Sequence, residues 1–374
     1  MTRPCGVARI VSYTLVAWLL TSAAARAELT TIDGVEAPIV RIQIPAQANL
    51  TIRTWDRASV QIDGDTNAFT VDRSTNRVPA NLPPTLIRVG QTNGPSGPIS
   101  LPAESFVVST LPPGPRAVVL IKGEAGHPVG QITVTIPANT ALLAGNVARG
   151  SIALQNYQNG TFILHLNNGY ATIDGAGGDG FVQILHGPLF VSDSSFNRLR
   201  ARSAVGVQVY ERCSVRQIEA SSFSGSIVYD NGRFDPGLAR FDVTNGNVAL
   251  GTSGAAQLNG HVAGGGHVYT LFERRAQIDA RESDATAIVE GGGPLATATS
   301  TNGNVYLYDG SLRTKTRVPA EWQPARAALR REGNALPTSS PPVDQPKPQS
   351  KPPPPNPEPP PKKKNGGKKS FRLR

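Results

Sequence analysis

Four aspartates follow apolar runs at similar places in a recurring sequence pattern, and such spacing could serve catalysis. They are Asp174, Asp193, Asp230 and Asp309, and the first two are nineteen positions apart. Polysaccharide lyases and glycosidases that have a β-helix fold need convergent carboxylates, often with Ca²⁺. Each of these aspartates, however, stands where a predicted strand gives way to a turn, and aspartate is a common turn residue. The sequence therefore assigns no catalytic residue and predicts that the protein is not an enzyme. A β-helix polysaccharide lyase or glycosidase is the alternative.

Histidine and cysteine add no recognisable chemistry. His165 and His186 are twenty-one positions apart, and His261 and His267 are six apart, but no third ligand or metalloprotease spacing accompanies either pair. Cys213 has no Cys-His-Asn signature around it, and we interpret it as a small, half-buried strand residue. The sequence predicts no metal site and no cofactor.

Three arginines alternate with apolar residues in one predicted strand. Arg198, Arg200 and Arg202 are separated by Leu199 and Ala201, so all three project from one face of the strand. We predict that they form a surface-binding strip for a glycan or another anionic partner. The alternative is a solvated face on which alternating charges steady neighbouring strands. The predicted outward positions are Arg200, Glu219, Asp242, Asn259 and Asp279, followed two places on by Arg202, Ser221, Thr244, His261 and Arg281.

The elements that carry these residues are short strands following regularly spaced glycines. A glycine, a variable residue and alternating apolar residues recur, as in Gly150-Ser-Ile-Ala-Leu and Gly169-Tyr-Ala-Thr-Ile. The steps between glycines 150, 169, 187, 206, 225, 246 and 266 are nineteen, eighteen, nineteen, nineteen, twenty-one and twenty positions. A second predicted strand lies between them, starting at Leu199, Ile218, Phe241, Leu258 and Ile278. We predict an all-β fold, a parallel right-handed β-helix or β-solenoid with coils of about 19 residues. A β-sandwich is the structural alternative.

The net positive charge of the chain comes from its two ends. The 374 residues carry 37 basic and 27 acidic side chains, a net charge of +10. Residues 1–27 contribute +3 and residues 338–374 contribute +7, so residues 28–337 sum to zero. Because phosphate binding needs clustered Lys and Arg on the folded surface, no nucleic-acid partner is predicted.

Both ends have the composition of segments outside the folded body. Residues 1–27 combine early arginines, an apolar stretch and an Ala-Arg-Ala cleavage site, which predicts a signal peptide and export to the periplasm, cell surface or medium. Residues 338–374 contain 12 prolines and close with lysine clusters, which predicts a disordered cationic tail. We interpret this tail as a spacer that contacts an anionic membrane or cell wall. The alternative is that it only keeps the protein soluble. Residues 324–334 are the one short helix candidate.

Two segments in the N-terminal half carry the motifs of a family resemblance. Residues 42–56 (IQIPAQANLTIRTWD) followed by Val60-Gln-Ile, and residues 132–142 (ITVTIPANTAL) followed by Gly150-Ser-Ile, resemble the putative-adhesin β-solenoid family of the DUF4097 type. The resemblance covers roughly residues 35–312. It implies a secreted or surface-exposed, non-enzymatic solenoid. The Pro-rich stretch 79–116 departs from the compact pattern of that family.

Together these observations predict five segments. They are a signal peptide at 1–27, an N-terminal β-rich cap region with a Pro/Gly-rich loop at 28–145, solenoid repeats at 146–312, a linker with a short helix at 313–337 and the Pro/Lys-rich tail at 338–374. The predicted function is a non-catalytic recognition, adhesion-like or structural module at a bacterial envelope.

Overall fold

The computed structural model describes residues 28–65, 67–78, 85–89, 104–108 and 114–335. The predicted signal peptide and tail lie outside these residues, as does most of the Pro-rich stretch 79–116. The N-terminal strands are β1 (Glu28–Asp33), β2 (Ile39–Trp55), β3 (Ser59–Gly64), β4 (Phe69–Val78), β5 (Thr85–Val89), β6 (Glu104–Val108), β7 (Gly114–Gly123) and β8 (Gly130–Pro137). The middle strands are β9 (Leu142–Gln155), β10 (Thr161–Asp174), β11 (Gly177–His186), β12 (Leu189–Ser192), β13 (Ser195–Val205), β14 (Gln208–Glu211), β15 (Ser214–Ser224), β16 (Ile227–Phe234), β17 (Ala239–Asn245) and β18 (Val248–Thr252).

The C-terminal elements are six strands and a helix. They are β19 (Ala256–Val262), β20 (Val268–Leu271), β21 (Ala276–Ala280), β22 (Asp284–Val289), β23 (Leu295–Asn302), β24 (Val305–Asp309), a 3₁₀ turn (Ala320–Trp322) and α1 (Gln323–Ala335). Within the described residues, 22 strands form one sheet and β5 pairs with β6 in a separate hairpin. The protein is therefore all-β with a large, mainly parallel sheet. No helix in the described part is long and apolar enough to cross a membrane.

The regular glycine spacing appears as the offset between neighbouring parallel strands. Gly169 lies beside Gly150, Leu199 lies beside Ile218, nineteen positions later, and Ile218 lies beside Ala239, twenty-one positions later. Each repeat contributes one strand before its glycine and one after it, and we call such a pair of strands a coil. We call β11, β13, β15, β17, β19 and β23 the pre-glycine strands, and β12, β14, β16, β18, β20 and β24 the post-glycine strands.

The glycines are required because the chain passes very close to itself at these positions. Gly206 has φ 143°, a conformation that residues with a Cβ rarely adopt. A Cβ added to Gly206 would overlap the carbonyl group of Gly187 in the neighbouring coil. The same overlap recurs along the stack, so the sequence repeat records a steric constraint.

Alternation along each strand builds the core. In β13, Leu199 and Ala201 are at most 1% exposed, whereas Arg200 is half-buried on the opposite face. Burying apolar side chains contributes about 25 cal/mol per Å² of surface removed from water. A coil alone cannot cover its apolar face, so the stabilisation from apolar burial comes from the packing of successive coils against one another.

The order of coils departs from chain order at the C-terminal end. The sequence repeat predicts that Gly266 follows Gly246, but β17 pairs in parallel with β23 and β18 pairs with β24. The coil of β19 and β20 lies on the far side, paired with β23 and β24. The segment starting at Ile278 is not a further parallel strand. It forms β21, which pairs antiparallel with β22, which in turn pairs antiparallel with β19.

The N-terminal end shows the same exchange. β2 pairs with β9 in parallel register, and its opposite edge pairs in parallel with β7 and β8. Antiparallel strands β1, β3 and β4 then border this end. The region 28–145, expected to be a cap, therefore supplies both stacked parallel strands and antiparallel edges.

A second corner of the coils repeats a left-handed backbone that does not depend on glycine alone. In five successive coils, one residue near the end of the segment after the glycine has a positive φ. The backbone amide of each of the first four donates a hydrogen bond to a backbone carbonyl of the following coil. These residues are Asn156, Gly175, Asp193, Arg212 and Asn231. Asparagine, aspartate and glycine tolerate this conformation best, which explains why they recur after the apolar runs.

Helix α1 spans the segment 324–334 that the sequence favours as helical, and it buries one face. Trp322, Ala325 and Leu329 are at most 2% exposed. The Trp322 ring lies 5.0 Å from that of Tyr306 and 5.8 Å from that of Tyr308. The segment after β24 therefore packs onto the last post-glycine strand.

Candidate functional site

The predicted arginine strip lies on the outer face of β13. Arg198, Arg200 and Arg202 are each half-buried and alternate with the core residues Leu199 and Ala201, as expected from the sequence. The structure thus places the three side chains on one face. Their role in binding stays a prediction.

The arginines take part in ion pairs along the face. Arg200 donates from Nε and Nη2 to Oε2 of Glu219 on β15, at 2.9 and 2.6 Å, and Nη2 of Arg198 lies 3.9 Å from a carboxylate oxygen of Asp179 on β11. Half-exposed pairs of this kind contribute at most about 1 kcal/mol each. The strip is therefore a charged surface that also ties neighbouring strands together.

The rows of outward side chains differ from the predicted rows beyond β15. Phe241 lies beside Ala220 rather than beside Ile218, so Arg240 takes the position expected for Asp242. The predicted place of Thr244 belongs to Asp242, which lies beside Ser221. The observed step from Ile218 to its neighbour Ala239 is twenty-one positions, whereas the predicted match of Ile218 with Phe241 required twenty-three. One observed row is Arg200, Glu219, Arg240, Thr297 and Asn259, and the next is Arg202, Ser221, Asp242, Thr299 and His261.

At the C-terminal end of this face the two rows line a groove. We call it the terminal groove, a cavity of about 390 Å³ between β19, β21, β22 and β23. Its polar lining residues are Asn259, His261, Asp279, Arg281, Asp284, Thr286, Thr297 and Thr299. Four of these, Asn259, His261, Asp279 and Arg281, are among the outward positions predicted from the sequence.

A histidine and an aspartate form the closest pair in the terminal groove. Nδ1 of His261 lies 2.7 Å from Oδ1 of Asp284, and the Ser283 hydroxyl donates to Oδ2 of Asp284 at 2.8 Å. The hydrogen bond with His261, followed by that from Ser283, lowers the pKa of Asp284 below its ordinary value. The carboxylate is therefore charged at neutral pH and orients the imidazole.

Sequence reasoning missed the contribution of the last coil to this groove. Thr297 and Thr299 alternate with alanines in β23, and Thr286 and Asp284 belong to β22. The run Leu-Ala-Thr-Ala-Thr-Ser at 295–300 carries an alternation signal that could have identified a strand with outward threonines. Their meeting with β19 depends on the exchanged coil order, which the sequence does not reveal.

The fold gives the four candidate catalytic aspartates separate structural contacts. Asp174 lies beside Ser192, whose hydroxyl donates to it at 2.8 Å, and Asp193 occupies the left-handed corner, where Arg212 donates two hydrogen bonds of 2.7 Å to it. The Arg212 hydrogen bond lowers the pKa of Asp193. Asp174 and Asp193 therefore do not stack directly upon each other, although their sequence spacing equals one step of the repeat.

The other two aspartates are buried and hold the chain that follows β24. Asp230 accepts hydrogen bonds from the Tyr308 hydroxyl at 2.7 Å and from the amide of Leu312 at 2.8 Å. Asp309 accepts from Nζ of Lys315 at 2.9 Å and from the amide of Arg274 at 2.7 Å. Both carboxylates are engaged in structural contacts.

The remaining histidines and the cysteine are dispersed. His165 is 4% exposed, and burial lowers its pKa, whereas His186 and His267 are exposed. Cys213 is 1% exposed, more deeply buried than expected, and burial raises its pKa to about 12. No group of three or more potential metal-binding side chains occurs among the described residues.

Comparisons with known proteins give only distant likenesses. No family model and no curated protein matches the chain. A "putative adhesin" from Bacteroides fragilis is 12% identical with a TM-score of 0.36 over 75% of this chain and 97% of that one. A "putative cell adhesion protein" from Clostridium sporogenes is 5% identical with a TM-score of 0.23, covering 76% and 98%. A "putative adhesin" from Parabacteroides distasonis is 13% identical with a TM-score of 0.29, covering 76% and 98%. Similarity at this level establishes no family membership.

Proposed function

We propose that this protein is an exported, non-catalytic β-solenoid of the adhesin type that acts as a recognition module at a bacterial envelope. One observation carries the proposal. The outer face of the pre-glycine strands aligns polar side chains from successive coils in rows, from Arg200 on β13 to Asn259 on β19. A rigid stack that repeats its side chains at the strand spacing of about 4.8 Å suits an extended partner.

The chemistry of the face favours a glycan or another anionic envelope component at the arginine strip. Arg198, Arg200 and Arg202 stand together on one strand, and guanidinium groups bind carboxylate and phosphate oxygens in a fixed geometry. The cationic segment 338–374 adds a second contact with an anionic membrane or wall, at about 1 kcal/mol for each basic residue near the surface.

The test compares two triple variants of the chain that begins at residue 28. Replacing Arg198, Arg200 and Arg202 by alanine should weaken binding to bacterial cells and to an acidic polysaccharide by about tenfold, or roughly 1.4 kcal/mol. The control replaces the exposed arginines Arg41, Arg57 and Arg73, which removes the same charge elsewhere. Equal binding by both variants would remove the strip from the proposal.

A second measurement addresses the enzyme alternative. The same purified chain is incubated with acidic polysaccharides, with and without Ca²⁺, and the products are followed by size. Cleavage that is lost on Asp174→Ala or Asp193→Ala would overturn the non-catalytic assignment.

A further inference from the structure

The terminal groove differs from the rest of the outer face in how its polar groups are used. Elsewhere the charges pair, as between Arg200 and Glu219 and between Arg240 and Asp242. In the groove, the side chains of Asp279 and Thr299 make no hydrogen bond or ion pair within the described residues, and Arg281 makes no close ion pair there but acts on Asp284 at longer range. Apart from His261 and Asp284, which pair with each other, donors and acceptors therefore converge on one cavity without satisfying one another.

Asn259 lines the groove and holds an acceptor that becomes available to a ligand when its side chain turns toward the cavity. Its Oδ1 atom is buried and has no hydrogen-bond partner among the residues that the structure describes. A buried amide oxygen without a partner costs about 1–3 kcal/mol. Thr297 already donates its hydroxyl proton to the carbonyl of Ala239 at 3.3 Å, which leaves its oxygen able to accept. The groove is consequently rich in acceptors, with Arg281 as a donor beside them.

This combination selects the class of ligand. A sugar hydroxyl donates one hydrogen bond and accepts others, so neighbouring hydroxyls match a mixture of carboxylate, amide, hydroxyl and guanidinium groups. The two carboxylates, Asp279 and Asp284, disfavour an anion in the same cavity by like-charge repulsion. An uncharged polyhydroxylated ligand fits these conditions.

An apolar surface adjoins the groove. Leu238 and Leu295 are 48% and 42% exposed, and because Ala239 lies beside Ala296, the two leucines are neighbours across β17 and β23. Leu295 precedes Thr297 by two residues and shares its outward face. A sugar ring has C–H faces as well as hydroxyl edges, and this leucine pair offers the contact that such a face needs.

We propose that the terminal groove binds an uncharged sugar residue of a glycan chain. The groove extends the proposed recognition role, but it rests on residues of β19, β21, β22 and β23 rather than on the arginine strip of β13. Either assignment can therefore fail without the other.

The test uses ¹⁵N-labelled protein and four probes: glucose, galactose, mannose and N-acetylglucosamine. At least one should give saturable amide shifts confined to strands β19, β22 and β23. The double variant Asp279→Ala/Thr299→Val should bind that sugar about tenfold more weakly. The matched control is Glu282→Ala/Thr301→Val, which changes two exposed residues outside the groove and should bind normally.

Three results would overturn the groove assignment. They are the absence of saturable shifts with all four sugars, equal affinity in the groove and control variants, or glucuronate binding as tightly as glucose. The triple variant of the arginine strip separates the two proposals. It should keep sugar binding in the groove, whereas loss of its cell-surface binding tests only the strip.

Discussion

At the scale of single residues, a buried lysine and aspartate hold the chain that leaves the last strand. The side chains of Lys315 and Asp309 are 4% and 2% exposed, and their charged atoms lie 2.9 Å apart. Burial alone would raise the pKa of Asp309. The hydrogen bonds from Lys315 and from the amides of Glu273 and Arg274 outweigh that effect, so the pKa lies below its ordinary value.

Removing the lysine should destabilise the protein in a pH-dependent way. A lowered folded-state pKa gives stability that is present above the unfolded pKa of about 3.9 and is lost as the pH falls through the folded value. We expect Lys315→Met to lower the free energy of unfolding by about 3 kcal/mol at pH 7, because Asp309 keeps a buried charge without its cation. The difference from the unsubstituted protein should shrink at pH 3.

Chemical denaturation at the two pH values measures this effect. Arg240→Met is the control, since its pair with Asp242 is largely exposed and should contribute at most about 1 kcal/mol. A loss that is equal at pH 7 and pH 3 would show that packing of the lysine chain, not its charge, stabilises the segment.

Features that one physical constraint determines could be predicted from the sequence. Alternation was enough to place Arg198, Arg200 and Arg202 on one face, and the steric needs of the stacked glycines were visible as spacing. The register of β17 could not be predicted from the sequence, because Ala239 and Phe241 both point inward. A shift of two residues preserves the buried face, so the apolar pattern cannot distinguish the two pairings.

At the scale of elements, α1 is anchored to the sheet beside Trp322. Trp322 packs against Tyr306 and Tyr308 of β24, and the Tyr306 hydroxyl donates to the carbonyl of Glu321 at 2.9 Å. The guanidinium of Arg313 also donates to the carbonyl of Leu329 at 3.3 Å. The 3₁₀ turn before the helix is thereby fixed to the sheet, and Arg313 of the loop after β24 binds the helix at Leu329.

Truncating the tryptophan should release this helix. Trp322→Ala is expected to cost about 3 kcal/mol and to expose the segment 316–335 to limited proteolysis. Glu321→Ala changes a neighbouring exposed side chain and keeps the backbone contact, so its stability should stay within about 0.5 kcal/mol of the original. Identical cleavage of the two variants would contradict the proposed anchoring.

At the scale of the whole stack, the two ends are closed in a related manner. β2 lies between β9 and the pair β7 and β8, and β23 lies between β17 and β19. Antiparallel strands border β7, β8 and β19. Exposed strand edges invite pairing with other molecules, and these antiparallel strands cover the edges of the three parallel strands.

Hydrogen exchange should reveal this arrangement. Amides of β23 should exchange as slowly as those of β17, although β23 is close to the end of the described chain, because both of its edges are paired. Amides of β21 should exchange faster, since that strand pairs only with β22. Faster exchange in β23 than in β21 would contradict the observed coil order.

The exchanged order was beyond sequence reasoning for a physical reason. β19 and β23 share the same alternation, and the glycines that follow them, Gly266 and Gly303, begin similar strands. Judged by the alternation of apolar residues alone, either coil could pair with the edges of β17 and β18. The choice depends on how the β21–β22 hairpin and the segment after β24 pack, which no local periodicity records.

This order has a consequence during synthesis. β19 is synthesised before β23, so the edge of β17 is available to β19 until the C-terminal coil has been made. In the native structure that edge is paired with β23 instead. Folding therefore cannot finish by adding coils in chain order from one end. Since Thr297 and Thr299 belong to β23, the terminal groove cannot form before that coil inserts between β17 and β19.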